Sequence, residues 1–440
     1  SLIIWSQKME SMVLKMRKMK DSGIEWIGEI PEGWEVSKLK YLGRYVNGYP
    51  FKPDDWGDKG KPIIRIQDLT GSNDSPNYYD GDIDAKYHIK NGDILVSWAA
   101  TLDAFIWNKG DGLLNQHIFK AIPQEEKITS YFFFWMIKEA MQNMNNDNKH
   151  GIFMQHVTLD VFNNFSVPLP PLSEQKRIAT YLFQKISEAD IMLDDTLSSI
   201  TGYKKLRQAV ITQAVTKGVR DKREMKDSGV DYIGQIPAKW VLGKLRNVGD
   251  TQNGISKSSE FFGKGFPFVS YSDVYKNYSL PFAVSGLVES TPEEQERYSV
   301  KEGDIFFTRT SETIEEVGFS CVCEKDIPNA TFAGFLIRVR PFSDKLHTPY
   351  AKYYFRSSHL RFYLVKEMNL VTRASLGQSL LKSMPVLLPP LEEQKEIANY
   401  LDAKCAEIDR LIAKKEQLVK ELESYKKSLI YEVVTGKREV

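Results

Sequence analysis

The sequence predicts an α/β protein built twice over: two mixed α/β domains separated by a pair of long antiparallel coiled-coil helices, with the halves related by an internal repeat. Three observations predict it. A stretch that starts LPPLSEQKRIATYL at Leu169 and ends VITQAVTKG returns without a gap from Leu388, as LPPLEEQKEIANYL running to VVTGKRE. MKDSGIEWIGEIPEGW, residues 19–34, returns as MKDSGVDYIGQIPAKW, residues 225–240. Between these markers NGDILVS, residues 91–97, answers EGDIFFT, residues 302–308. A duplication of this extent means two copies of one structural unit.

In chain order, residues 1–18 mix apolar and basic side chains and read as an N-terminal extension with no counterpart in the second half. Residues 19–167 form the first domain and open with a strap whose Ser-Gly and Ile-Pro turns and final Trp34 suit packing on a neighbour. Within it, Asn47-Gly48, IIRIQDL (residues 63–69) and NGDILVS read as turn-bounded strands, and residues 130–141 as a helix. Residues 168–224 carry the first long helix, opened by Pro170-Pro171 and an acidic first turn. The second domain, residues 225–385, repeats the plan with Asn253-Gly254, FVSYSDV (residues 268–274), EGDIFFT and a helical stretch at 349–365. Residues 386–440 carry the second long helix.

In that last helix Ile397, Leu401, Lys404, Ile408, Leu411, Lys415, Leu418, Leu422, Tyr425 and Leu429 alternate in steps of four and three, a heptad seam. The first helix keeps the register more weakly through Ile178, Leu182, Lys185, Ala189, Met192, Thr196, Ser199, Tyr203, Leu206 and Val210. Each seam is expected to bury against the other, with Lys185 and Lys404 as charges that fix register. At 1.5 Å per residue, a helix of roughly 40 residues is about 60 Å long, which makes it a spacer.

Composition narrows the function classes. Cys321, Cys323 and Cys405 are too few and wrongly spaced for a disulfide framework or a zinc site, and the first two alternate along a probable strand as small buried hydrophobes. So few cysteines suit a cytoplasmic protein, and the longest apolar run, residues 131–137, is too short to span a bilayer, so no membrane contact is expected. There is no phosphate-binding GxxxxGK[ST], no GxGxxG, no HExxH and no Cys-His cluster. Nor is there an Asn-Pro-Pro-Tyr or Asp-Pro-Pro-Tyr element, so the chain is expected to be no enzyme and to bind no cofactor itself. With 59 Lys and Arg against 58 Asp and Glu, it is not a strongly basic protein.

Taken together, the LPPLxEQ helix starts, the IGEIPEGW strap and the paired GDI strands resemble the specificity subunit of type I restriction-modification enzymes over the chain from Met19 onward. The resemblance implies two target-recognition domains, each reading one half of a split double-stranded DNA site, held apart by the helices. It also implies that the helices dock two modification subunits, which are adenine N6 methyltransferases, and that restriction subunits add to that core. S-adenosylmethionine, ATP and Mg belong to those partners. A rigid helix pair suits such a reader, because half-sites on one face of DNA lie about 34–36 Å apart per helical turn.

Arg pairs with guanine and Asn or Gln with adenine in the major groove, while Lys and hydroxyl groups suit phosphates. The divergent segments hold such residues. In the first domain the DNA-binding candidates are Asn47, Lys52, Arg65, Gln67, Asn115, Gln116, His117, Lys149, Gln155 and His156. In the second they are Asn253, Lys257, Tyr271, Arg309, Thr310, Ser311, Asn329, Arg373 and Gln378. Trp98 reads as a packing residue. Glu174, Gln175, Glu393 and Gln394 open both helices and are candidates for subunit docking. The alternative is a non-enzymatic coiled-coil scaffold with two protein-binding adaptor domains, and the amide-, Arg- and hydroxyl-rich loops speak for DNA instead.

Overall fold

The structure is a computed structural model that describes residues 17–72, 75–147, 157–310, 317–368 and 375–440. The described residues form two compact units, one from residues up to 195 together with 418–440, the other from 196–417.

In the first unit a strap hairpin, β1 (Met19–Asp21) with β2 (Glu29–Pro31), is followed by β3 (Glu35–Lys38) and β4 (Gly43–Asn47). Next come β5 (Lys61–Ile64), the short helix α1 (Ile66–Thr70), β6 (Asn77–Tyr79), β7 (His88–Ile89), β8 (Ile94–Ser97), β9 (Asp103–Ile106), β10 (Gly112–Leu114) and β11 (Ile118–Pro123). Two sheets result, ordered β6-β5-β10-β7 and β4-β11-β8-β9, antiparallel except for the parallel pair β5 and β10. Helix α2 (Ser130–Asp147) covers the second sheet and carries the long apolar run: Phe132, Phe133 and Met136 are wholly buried, whereas Tyr131 faces out. Helix α3 (Leu159–Asn164) and β12 (Ser166–Leu169), which pairs with β3, lead into α4 (Leu172–Lys217).

The second unit repeats this plan with β13 (Met225–Asp227), β14 (Gln235–Pro237), β15 (Val241–Lys244), β16 (Gly249–Asn253), β17 (Phe262–Val269), α5 (Tyr271–Lys276), β18 (Gly286–Val288), α6 (Pro292–Arg297), β19 (Ile305–Thr308), β20 (Ser320–Val322), β21 (Thr331–Phe332) and β22 (Leu336–Pro341). Its sheets are ordered β18-β17-β21 and β16-β22-β19-β20, and β17 runs parallel to β21 as β5 does to β10. Helices α7 (Thr348–Tyr354), α8 (Ser358–Met368) and α9 (Gln378–Ser383) precede β23 (Pro385–Leu388), and β23 pairs with β15 before α10 (Leu391–Val434). Cys321, Cys323 and Cys405 are buried thiols.

Three local expectations are corrected. IIRIQDL and FVSYSDV leave the strand after Ile64 and Val269, because the Asp68 and Asp273 carboxylates accept the backbone N–H of Arg65 and Ser270, both at 2.8 Å, and close a helix start. The stretch at 349–365 breaks in two at Phe355–Ser357. There the Arg356 side chain donates to the carbonyls of Ser320, Val274 and Asn277 at 2.6–2.8 Å. The seams keep their steps of four and three but shift by one residue at alternate positions. Ile186 and Cys405 are buried where Lys185 and Lys404 were expected, and Ile200 and Ile412 where Ser199 and Leu411 were. Lys185 and Lys404 instead lie on the flank, paired to Glu188 at 2.7 Å and Glu407 at 3.0 Å.

Each unit contains a stretch of both long helices. In the second, Arg207 meets Asp409 at 2.9 Å and Lys204 meets Glu416 at 3.7 Å, so the helices run antiparallel. In the first, Lys426 pairs with Asp190.

Candidate nucleic-acid interface

One backbone arrangement positions the variable side chains in both units. In the first, Gly48 packs so closely on the Asn115 carbonyl that a Cβ would collide with it, which explains the Asn-Gly pair at the end of β4. Gly48 N–H donates to the Ile118 carbonyl at 3.0 Å, and Tyr49 N–H to that of Leu114 at 2.8 Å. The turn between β10 and β11 closes with Ile118 N–H on the Asn115 carbonyl at 3.0 Å. Just past β8, Trp98 N–H reaches the His117 carbonyl at 3.4 Å while its own carbonyl accepts from Val157 at 3.1 Å. The Trp98 and His117 rings meet edge to face, with centroids 5.5 Å apart. Asn47, Asn115, Gln116, His117 and Trp98 therefore converge at one edge, and Asn47 and His117 are exposed.

The second unit makes the same ties with other side chains. Gly254 N–H donates to Leu336, Ile255 N–H to Phe332 and Leu336 N–H to Ala333, at 3.3, 2.9 and 2.9 Å. Arg309 N–H reaches the Phe335 carbonyl at 2.9 Å and its carbonyl accepts from Leu376 at 2.7 Å, so Arg309 stands where Trp98 does and Phe335 where His117 does. Phe335 is 64% exposed, an unusual state for an apolar side chain on a structured turn. It was missed from the sequence, although aligning both ends of β11 with β22 places it opposite His117. Thr310 bridges to Ser375.

The remaining candidates divide by what they touch. Lys52 and Gln67 are exposed. Arg65 lies over the Trp56 ring at 5.4 Å, and Tyr271 stacks on Tyr275 at 5.9 Å. Lys257 is held by Glu294 at 2.7 Å, which offsets the charge it would bring to a phosphate. Asn329 has φ 56°, a left-handed turn position at which Asn is favoured for its backbone alone. Gln378 bonds both Thr251 and Asn253. Lys149, Gln155, His156, Ser311 and Arg373 lie outside the described residues.

The four docking candidates are buried and bonded within their own units. Trp34 Nε1 donates to Glu174 at 2.9 Å and Trp240 Nε1 to Glu393 at 3.0 Å. Arg17 and Arg223 complete the two clamps, each guanidinium pairing with its Glu and lying 5.5 and 5.7 Å from the Trp ring centroid. Gln175 accepts from Thr129 N–H and donates to the Lys127 and Pro170 carbonyls; Gln394 does the same with His347, Lys345 and Pro389, all at 2.7–2.9 Å. Arg17 and Arg223 show that the internal repeat reaches two residues upstream of Met19. Among the described residues no cluster of His, Cys, Asp and Glu could hold a metal ion, and no helix is long and apolar enough to cross a membrane.

Two units that keep one set of backbone ties and exchange the side chains held by them define a recognition protein with two heads. Comparison with known proteins places it more closely: the chain belongs to the type I restriction modification DNA specificity family, whose domain matches residues 31–199 and again 237–422. It is 25% identical over 405 residues to the EcoBI specificity subunit of Escherichia coli, covering 90% of this chain and 84% of that one. It is 26% identical over 444 residues to the MjaVIII specificity subunit of Methanocaldococcus jannaschii, covering 97% and 98%. A chain from a solved structure concerned with complex assembly and conformational transition of the type I R-M system shares the fold, with a TM-score of 0.72 at 18% identity over 93% of this chain and 99% of that one.

Proposed function

We propose that each unit reads one half of a bipartite double-stranded DNA site, and that the helices dock two methyltransferase subunits to which restriction subunits add. The chain contributes sequence reading; S-adenosylmethionine, ATP and Mg work on the partners, and the complex acts in the cytoplasm. The observation that carries this reading is the pair of matched edges, with Trp98 and His117 exchanged for Arg309 and Phe335 on equivalent backbone hydrogen bonds. Function that varies on a retained framework is expected of loop-borne recognition. At those edges Asn47, Asn115, Gln116, His117, Asn253, Arg309 and Thr310 offer base-edge chemistry. The exposed Lys52 suits a phosphate contact and the exposed Gln67 a base-edge one. Near-neutral overall charge fits a subunit that binds DNA firmly only with partners sharing phosphate neutralisation. Glu174, Gln175, Glu393 and Gln394 serve docking indirectly, by holding the helix starts in place.

The test is co-expression with a methyltransferase subunit of the same system, followed by genome-wide mapping of N6-methyladenine. A split motif methylated on both strands is the expected result. A stable complex that leaves no motif would refute reading by these units, and failure to form any complex would favour the scaffold alternative.

A further inference from the structure

The second unit contains a polar relay that the first lacks. Thr251 and Asn253 project from one face of β16, and α9 begins over that face with Gln378. The buried Thr251 hydroxyl donates to Gln378 Oε1 at 2.7 Å, and Gln378 Nε2 donates to Asn253 Oδ1 at 3.0 Å. Both ends of the Gln378 amide are thereby engaged. The half-exposed Asn253 amide has its oxygen engaged, which leaves Nδ2 as the group available to a ligand. The backbone of Asn253 is fixed as well, paired with Ile337 and followed by Gly254 against the Phe332 and Ala333 carbonyls.

At the matching places the first unit has Tyr45, Asn47 and Leu159. Tyr45 turns its hydroxyl to the Leu39 carbonyl at 2.8 Å, and Leu159 has no polar side-chain atom, so Asn47 has no such lock.

Building on the DNA reading above, we propose that Gln378 is a positioning residue that holds Asn253 as a fixed hydrogen-bond donor, so that the second unit selects a base presenting an acceptor at one position of its half-site. In the major groove that acceptor is O6 or N7 of guanine, N7 of adenine or O4 of thymine. A free asparagine amide can turn over and satisfy donor and acceptor edges alike. One whose oxygen accepts from Gln378 Nε2 gives up that bond when it turns over, and the preference follows from that restriction. Gln378, chosen from the sequence as a base contact, acts through Asn253.

Three variants of the full chain, each co-expressed with its partner subunits and read as fractional N6-methylation at every single-base variant of the motif, test this. Q378L should relax selection about tenfold at one base pair of one half-site and leave the other half-site unchanged. Q378E has a side chain that only accepts, which turns the Asn253 amide over and moves the preference at that same position toward a donor-bearing base, adenine N6 or cytosine N4. T251V, close in shape to the native residue, removes only the hydroxyl at the head of the relay and should relax the same position. It keeps the test open should Q378L fail to assemble. Unaltered base preference in Q378L or T251V, or loss spread evenly over all positions, would overturn the relay. Absence of any motif with the native chain would instead defeat the underlying DNA reading.

Discussion

At the residue scale, the Glu-Gln pairs show how a helix start can serve as a lock. Burial pushes the Glu174 carboxyl upward, but hydrogen bonds from Arg17 and Trp34 outweigh it and the net shift is downward. A lowered folded value means that its stabilisation is complete above the ordinary glutamate range and is lost as pH falls through the folded value. Glu174→Ala, which leaves the buried Trp34 N–H unpaired, should cost about 1–3 kcal/mol near neutral pH. In thermal melts the deficit should shrink as the solution is acidified. Glu139 is the opposite case. It is 4% exposed on α2, with one oxygen bonded to Asn143 at 2.8 Å and the other without a partner, and burial raises its pKa to about 7. A raised carboxylate binds protons more tightly in the folded state, so stability falls as pH rises from the ordinary glutamate value through 7. Glu139→Gln should therefore be close to neutral at pH 5 and stabilising by about 1–3 kcal/mol at pH 8, checked by melts at both values. Nothing in the sequence marked either role, because Arg17, Trp34 and Glu174 meet only through folding.

The long helices were legible from their Pro-Pro starts and heptads, yet the seam was placed one residue off at alternate positions. Leu411 beside Ile412 and Leu418 beside Val419 offer two apolar choices at one period, and periodicity alone does not choose between them, whereas Cys405 beside Lys404 was the apolar signal for the observed register. Packing chooses. Lys185 and Lys404 on the flank should tolerate Leu with a stability change within about 0.5 kcal/mol, whereas Ile186→Ala should cost about 2–4 kcal/mol in chemical denaturation. A marked gain from the two lysine replacements would place Lys185 and Lys404 in the seam itself. The short helices α1 and α5 were hidden for a related reason: a strand and a capped helix share one apolar run, and the switch lies in a single Asp reaching back three residues.

For the whole molecule, the duplication makes strong predictions about modularity. Replacing residues 35–167 by the corresponding domain of another family member should change one half-site in the methylation map and leave the second intact. Inserting seven residues at matched places in α4 and α10, about 10 Å of helix, should lengthen the gap between half-sites by about three base pairs. An unchanged gap in that map would show that the helices do not set the spacing.

The sequence by itself determined the repeat, the strap, the strand framework and the two long helices, since these depend on local pattern and on self-similarity along the chain. It also located most of the residues that meet at the matched edges, because Asn-Gly turns and divergent loops are visible before folding. Only the tertiary structure decided which side chains at that edge are available. It paired Lys257 with Glu294, engaged Glu174 and Glu393 with buried tryptophans, bonded Gln378 to Asn253, and gave Phe335 in the second unit the place that His117 has in the first. Each of those assignments depends on contacts between residues far apart in the chain, and the energy of a polar group is decided by the partner it meets.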